Sequence, residues 1–292
     1  MLFTFDLLLG AVVFGLLIGC FYAAVSIGLS VAFGLLDVPH IAHPAFLVAG
    51  AYGTWLLAGF GWDPIVAGLV LSVPFFFLGV AMYRIYHVTF EKRGSDAGLR
   101  GLAFFFGIAF IIEIALILAV GVDQRLVEAP YIGQAIDLTD DLRVPMRLLV
   151  AFGCALLLTV ALSLYLGKTF MGRAIKAVAQ DQIALSLMGA DPVKVKQWAF
   201  GIATAVTAVA GALLIIVGPV DPQLGRLYIG RTFCVVVLAG LGSMSGTVVA
   251  ALILGVAENI VLTFFGASWA PAVAFGLLLI VLGVRPQGLF GR

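Results

Sequence analysis

Charge is what this sequence most lacks. Asp, Glu, Lys and Arg make up 11% of its 292 residues, against about 25% in soluble globular domains. So few ionic groups cannot cover a water-facing surface, which excludes an ordinary soluble domain. A net charge of +1 supplies no basic footprint for nucleic acid. Cysteine is also scarce. Cys20, Cys154 and Cys234 each lie inside an apolar run; none has metal-site spacing, and they read as small packing residues. Nucleotide motifs are missing too. Gly167-Lys168-Thr169 resembles the end of a phosphate loop, but Leu162 occupies the place of its first glycine. Gly240-x-Gly242-x-x-x-Gly246 departs from the dinucleotide fingerprint, and no strand pattern precedes it. Without a Ser/His/Asp set or paired intramembrane carboxylates, the chain is expected to be no enzyme and to need no metal or cofactor.

Apolar residues are what it has, at 63% of the chain and a mean hydropathy of +1.20. No charged residue interrupts Leu7–Leu36, Val38–Trp62, Pro64–Tyr83, Leu148–Gly167, Gln197–Val220, Thr232–Ala257 or Asn259–Val284, and Gly101–Val122 carries Glu113 alone. A helix needs about 20 apolar residues to cross the hydrocarbon core. These runs lack the strict alternation of a membrane barrel. The expected fold is therefore an all-α polytopic membrane protein forming one domain over 1–292. About eight transmembrane helices are expected, near 7–33, 45–60, 64–88, 102–121, 146–167 and 197–218, with a broken pair within 232–264 and a last helix at 269–284. The N-terminal run has no basic region before it and is too long for a signal-peptide core, so it is expected to remain as the first membrane helix.

Lysine and arginine orient the chain. Segments 84–100 and 168–196 are basic and are expected in the cytoplasm. Segment 122–147 is acidic and is expected outside, as is 219–231. The basic tail from Arg285 is expected inside, which requires an odd number of crossings after Arg231 and places the N terminus outside.

Two stretches resist being plain helices. In 34–44, Pro39 and Pro44 remove backbone donors and bar the residues before them from helical geometry. In 240–246, three glycines fall in seven residues. Irregular backbone at membrane depth survives where protein or a water-filled cavity satisfies it, and paired interruptions point to a transport pathway; the alternative is a pair of interfacial turns. His40 and His43 flank the first break as solute or gate contacts, or as packing residues. Glu258, with Asn259 beside it, and Glu113 are intramembrane polar groups with either a functional or a structural role. Gly15-x-x-x-Gly19 permits close helix approach.

Between the fifth and sixth spans, 172–190 is rich in helix formers and ends at Gly189 before Pro192. It reads as a short extramembrane helix with Ala174, Val178, Leu185 and Met188 on one face, interrupted by Asp181. A soluble partner can dock on such a face; a helix lying on lipid would be more basic.

Several blocks resemble the branched-chain amino acid ABC permease family, its LivH-type subunit, and the related urea and short-amide permeases. They are Tyr22-Ala23-Ala24 to Gly28-Leu29, Ala42-His43, Gly50-Ala51-Tyr52, Gly172-Arg173-Ala174 with Ala177 to Asp181, Met188-Gly189, Ala210-Gly211-Ala212, Gly240-Leu241-Gly242-Ser243 with Gly246-Thr247, and Arg285 to Gly291. The resemblance implies an inner-membrane transport subunit working with a homologous second permease as a heterodimer, two cytoplasmic ATP-binding subunits and an extracytoplasmic solute-binding protein. It implies that Arg173, Lys176, Gln180, Asp181, Ala184, Leu185, Met188 and Gly189 form the coupling element seated in an ATPase. Small and aromatic side chains near 40–52 and 240–247, including Phe46, Tyr52, Gly242 and Ser243, would line the pathway. His40-Ile41-Ala42-His43-Pro44-Ala45 departs from the family's common Asn-Phe-Ala-His-Gly-Glu, so the solute is left broad: branched-chain amino acids, amides, urea or aromatic acids. A stand-alone channel or ion-coupled carrier is the alternative, and the face at 172–190 argues against it.

Overall fold

Backbone amides in hydrocarbon have no water to bond, so the apolar runs satisfy them internally as helices. The computed structural model describes residues 5–93, 97–139 and 142–291. Met1–Thr4, the acidic pair Asp140 and Asp141, and the terminal Arg292 of the basic tail lie outside the described residues. The helices are α1 (Phe5–Leu29, continued by a π-helical stretch Ser30–Leu35), α2 (His43–Gly59), α3 (Pro64–Thr89), α4 (Ala97–Val120), α5 (Met146–Lys168), α6 (Phe170–Gln180), α7 (Gln182–Leu187), α8 (Pro192–Val217), α9 (Gly225–Ala239), α10 (Met244–Phe265) and α11 (Ala270–Val284). A hairpin of β1 (Ala135–Thr139) and β2 (Leu142–Pro145) lies between α4 and α5.

Among the described residues, seven helices are long and apolar enough to cross a membrane. The shorter α2 and α9, of 17 and 15 residues, add to these. The expected broken pair is present, but its first member begins at Gly225 rather than within the charge-free run. Arg226 and Arg231 are thus helical, where composition suggested a loop.

α8 is the central element and packs on α1, α2, α3 and α5. Its small residues from Ala203 to Ala212 are buried nearly without interruption. α1 crosses α10 on glycine. A Cβ at Gly15 would lie 2.6 Å from the Cα of Val256, and one at Gly19 would lie 2.8 Å from the Cα of Leu252.

The packing gathers the ends as the lysine and arginine count expects. The basic segments are joined by Lys196 and Glu91 at 2.7 Å. The acidic segment is tied to the α8–α9 connection by paired Arg125 and Val220. α1 contacts β2, and its π-helical end contacts α6. The basic tail is seated on the end of α9, where Leu289 N–H donates to the Leu238 carbonyl at 2.8 Å and Phe290 N–H to Ala239 at 3.1 Å.

The segment expected as one short helix is two. Asp181 is extended (φ −153°, ψ 111°), and its Oδ1 accepts from the N–H groups of Ile183 and Ala184 at 2.8 and 3.0 Å. A capping aspartate satisfies the first free amides of a helix. Here it ends α6 and starts α7.

Candidate pathway and coupling surface

The two interrupted stretches meet. Gly34 lies against Gly242, where a Cβ would be 3.0 Å from the Gly242 Cα. One turn away, Thr247 Oγ1 donates to Ser30 Oγ at 3.1 Å. Gly242 has φ +82° and Gly240 φ +88°, a left-handed geometry that glycine adopts without penalty. Ser243 then caps α10, accepting from Gly246 N–H at 3.1 Å. π-helical turns are uncommon and collect at functional sites; this one occupies the last six residues before the first break.

Beyond it, Asp37 is a non-glycine residue at φ +56°, and the chain returns to α2 through Pro39 and His40. His40 and His43 are both fully buried. His43 Nε2 lies 2.7 Å from the Val25 carbonyl, which can only accept, so Nε2 carries the proton. Its Nδ1 lies 3.2 Å from Thr207 Oγ1, whose single proton is shared with the Ala203 carbonyl at 2.8 Å. His40 is enclosed by Phe46, Phe105 and Phe200, at ring-centroid distances of 5.7, 5.0 and 4.7 Å. Neither of its ring nitrogens has a hydrogen-bond partner among the described residues. An unsatisfied buried polar group costs about 1–3 kcal/mol, so this closed arrangement carries a polar side chain without its usual compensation. Tyr52 is also buried, its hydroxyl 3.4 Å from the Val220 carbonyl.

Glu258 does not face an open path. Its carboxylate accepts from Tyr22 Oη at 2.6 Å and from Arg231 Nε at 3.0 and 3.2 Å. The Arg231 guanidinium lies 5.6 Å from the Tyr22 ring centroid and 5.3 Å from that of Tyr228. Asn259 Nδ2 donates within its own helix to the Gly255 carbonyl at 2.9 Å. Glu113 is likewise paired, with Arg226. Both arginine partners lie in 219–231, a segment whose composition suggests a loop. An acid inside an apolar run demands a cation, and the nearby arginines were that signal.

On the basic side, α6 and α7 divide their faces differently from expectation. Ala174, Ile175, Val178 and Leu185 are buried and join Val31, Ala32, Leu36 and Val38 in one apolar cluster. They root the segment against the first break rather than face a partner. The exposed apolar tip is Ile183, Leu187 and Met188, at 74, 84 and 85% accessibility. Arg173, Lys176, Gln180, Asp181 and Ala184 are exposed around it. Gly189, at φ +84°, turns the chain from the tip towards α8. The residues expected to serve the pathway and the partner surface are therefore joined physically: α6 and α7 are packed on the interrupted end of α1.

A family model described as branched-chain amino acid transport system, permease component, matches residues 11–282. The chain belongs to this family. It is 28% identical over 288 residues to the high-affinity branched-chain amino acid transport system permease protein BraD of Pseudomonas aeruginosa, covering 95% of this chain and 94% of BraD. It is 26% identical over 290 residues to LivH of Escherichia coli K12, covering 95% and 94%. To LivM of the same organism it is 28% identical over 306 residues, covering 92% of this chain and 67% of LivM. This permease is thus a multi-pass inner-membrane transport subunit, not an enzyme, and one permease of a multi-component system that has a second.

Proposed function

We propose that this permease is one of the two membrane-spanning subunits of an ATP-driven importer for branched-chain amino acids or related small polar solutes. It works beside a homologous second permease and with two cytoplasmic ATPases, one of which grips its α6–α7 segment. An extracytoplasmic binding protein delivers the solute. The observation that carries this reading is the exposed tip Ile183–Leu187–Met188 on a segment whose root packs into the first break. Three large apolar side chains in water are costly, at about 25 cal/mol per Å² left exposed, and a groove in a soluble partner removes that cost. Displacing the tip pulls on Val31–Val38, so nucleotide-driven movement reaches the place where Gly34 meets Gly242. ATP shifts the two-state equilibrium by binding one state of the assembly more tightly than the other. His40, His43, Phe46, Gly242 and Ser243 belong to the gate formed by the converging breaks, while Tyr52 reaches Val220 at the acidic end and Glu258 ties α10 to α1 and α9 through Tyr22 and Arg231.

The test is ATP-driven uptake of a branched-chain amino acid by the whole complex in proteoliposomes. Leu187→Asp with Met188→Asp is expected to cut uptake about tenfold or more, the size of a typical lost interface anchor. The protein remains inserted, because neither side chain is buried. Unchanged uptake removes α7 as the docking element. Equal transport by the permeases alone, without nucleotide, replaces this reading with the channel or carrier.

A further inference from the structure

At the root of the coupling segment, one carboxylate takes contacts from three side chains, two nearby in sequence and one far away. Glu91 lies in the short 3-10 turn Glu91–Arg93 between α3 and α4. Its Oε1 accepts from Lys196 Nζ at 2.7 Å. Its Oε2 accepts from Tyr83 Oη at 2.7 Å and lies 2.8 Å from His87 Nδ1. Burial pushes the Glu91 carboxyl up, but the hydrogen bonds from Lys196, His87 and Tyr83 outweigh it and hold it below its ordinary 4.5. The Glu91 carboxylate is therefore ionised at neutral pH. Its contribution is complete above that ordinary value and is lost as pH falls through the lowered one.

Lys196 is placed to matter. It stands in the first turns of α8, only a few residues from the tip, since α7 ends at Leu187 and α8 begins at Pro192. A lysine at the edge of a membrane normally extends its ammonium into water. Lys194 does so, 77% accessible beside Asp191. Lys196 instead turns inward, its side chain 6% accessible, to a residue 105 positions away. Further along α8, Thr207 touches His43, while Gly79 of α3 packs on Thr204 and Gly201. The α3–α4 connection and the start of α8 are thus clamped together, on the helix that follows the α7 tip in sequence.

We propose that the Glu91–Lys196 pair is a strut that makes α3 and the α3–α4 connection move with α8 when the coupling segment is displaced. Both are positioning residues: they touch no solute, and they set how much of the tip's displacement reaches the gate. This rests on the reading that α6–α7 is gripped by an ATPase.

The test uses the complete transporter in proteoliposomes, measuring both ATP hydrolysis stimulated by loaded binding protein and solute moved per ATP. Glu91→Gln and Lys196→Gln are expected to lower solute moved per ATP by about tenfold, the range for a residue inside a coupling network, while stimulated hydrolysis stays near the parent. Lys196→Arg restores most of the ratio. The double variant E91Q/K196Q leaves no unpaired charge, so it folds, and it remains inefficient. An unchanged ratio in the double variant overturns the strut. So does a parallel loss of hydrolysis and transport that Lys196→Arg does not rescue, which marks a structural pair only. A parent complex without ATP-driven uptake overturns the functional reading, and the strut falls with it.

Discussion

Replacing Arg231 with alanine is expected to remove about 3–5 kcal/mol of folded-state stability, the cost of stranding one partner of a buried ion pair, and to abolish transport. Glu258 is 4% accessible in its side chain and Arg231 18%, and both stand on helices of the membrane-spanning bundle. Without the guanidinium, the carboxylate keeps one hydrogen bond, from Tyr22, and sits in a medium that solvates charge poorly. The two tyrosine faces also lose the cation between them. Thermal unfolding in detergent measures the loss. A stability within about 1 kcal/mol of the parent, the range of an exposed pair, sinks the assignment. The double replacement of Arg231 by Met and Glu258 by Leu should recover much of the stability, since a buried pair exchanged for apolar side chains is often neutral.

The second large effect is steric. Gly255→Leu is expected to prevent recovery of folded protein, because the new Cβ would stand 2.6 Å from both the Cα and the backbone nitrogen of Gly19. Backbone cannot yield as a side-chain end can, so α1 and α10 must part. Overpacking that a side chain can absorb costs about 1–3 kcal/mol; this clash exceeds that range. Parting the helices also breaks Thr247 from Ser30 and moves Gly242 from Gly34, so the junction of the two breaks is lost with the crossing. Gly276→Leu in α11 is the control, with nothing within 4 Å of its added Cβ, and is expected to express and unfold as the parent does. Equal yields of the two variants, measured by size-exclusion chromatography, would refute the close crossing.

The fold was legible to the extent that charge-free length decides it. Every long run became helical, all but the first member of the broken pair near their expected ends, and both interruptions appeared where proline and glycine cluster. The expected end of the first helix, near residue 33, was close; the chain instead widens into a π-helical stretch to Leu35, which composition does not encode. Less was legible in the candidate site. His40 and His43 were singled out by their position beside prolines, and nothing local foretold that His40 would lie unbonded among Phe46, Phe105 and Phe200. Ala174, Val178, Leu185 and Met188 were drawn together by helical spacing. Asp181, taken only as an interruption of that face, is the cap that splits it. Three of the four then turn inward and leave Met188 outside, with Ile183 and Leu187 forming the tip.

By itself the sequence determined the solvent, the helices, the place of the two breaks and the basic and acidic ends, because each follows from the transfer cost of charge and backbone along a local stretch of chain. The tertiary structure alone decided which groups meet: Glu258 with Arg231, Glu91 with Lys196, Gly34 with Gly242, and α6–α7 with the interrupted end of α1. Those pairings join residues far apart in the chain, and the packing of whole helices, rather than any local preference, selects among the partners each polar group could take.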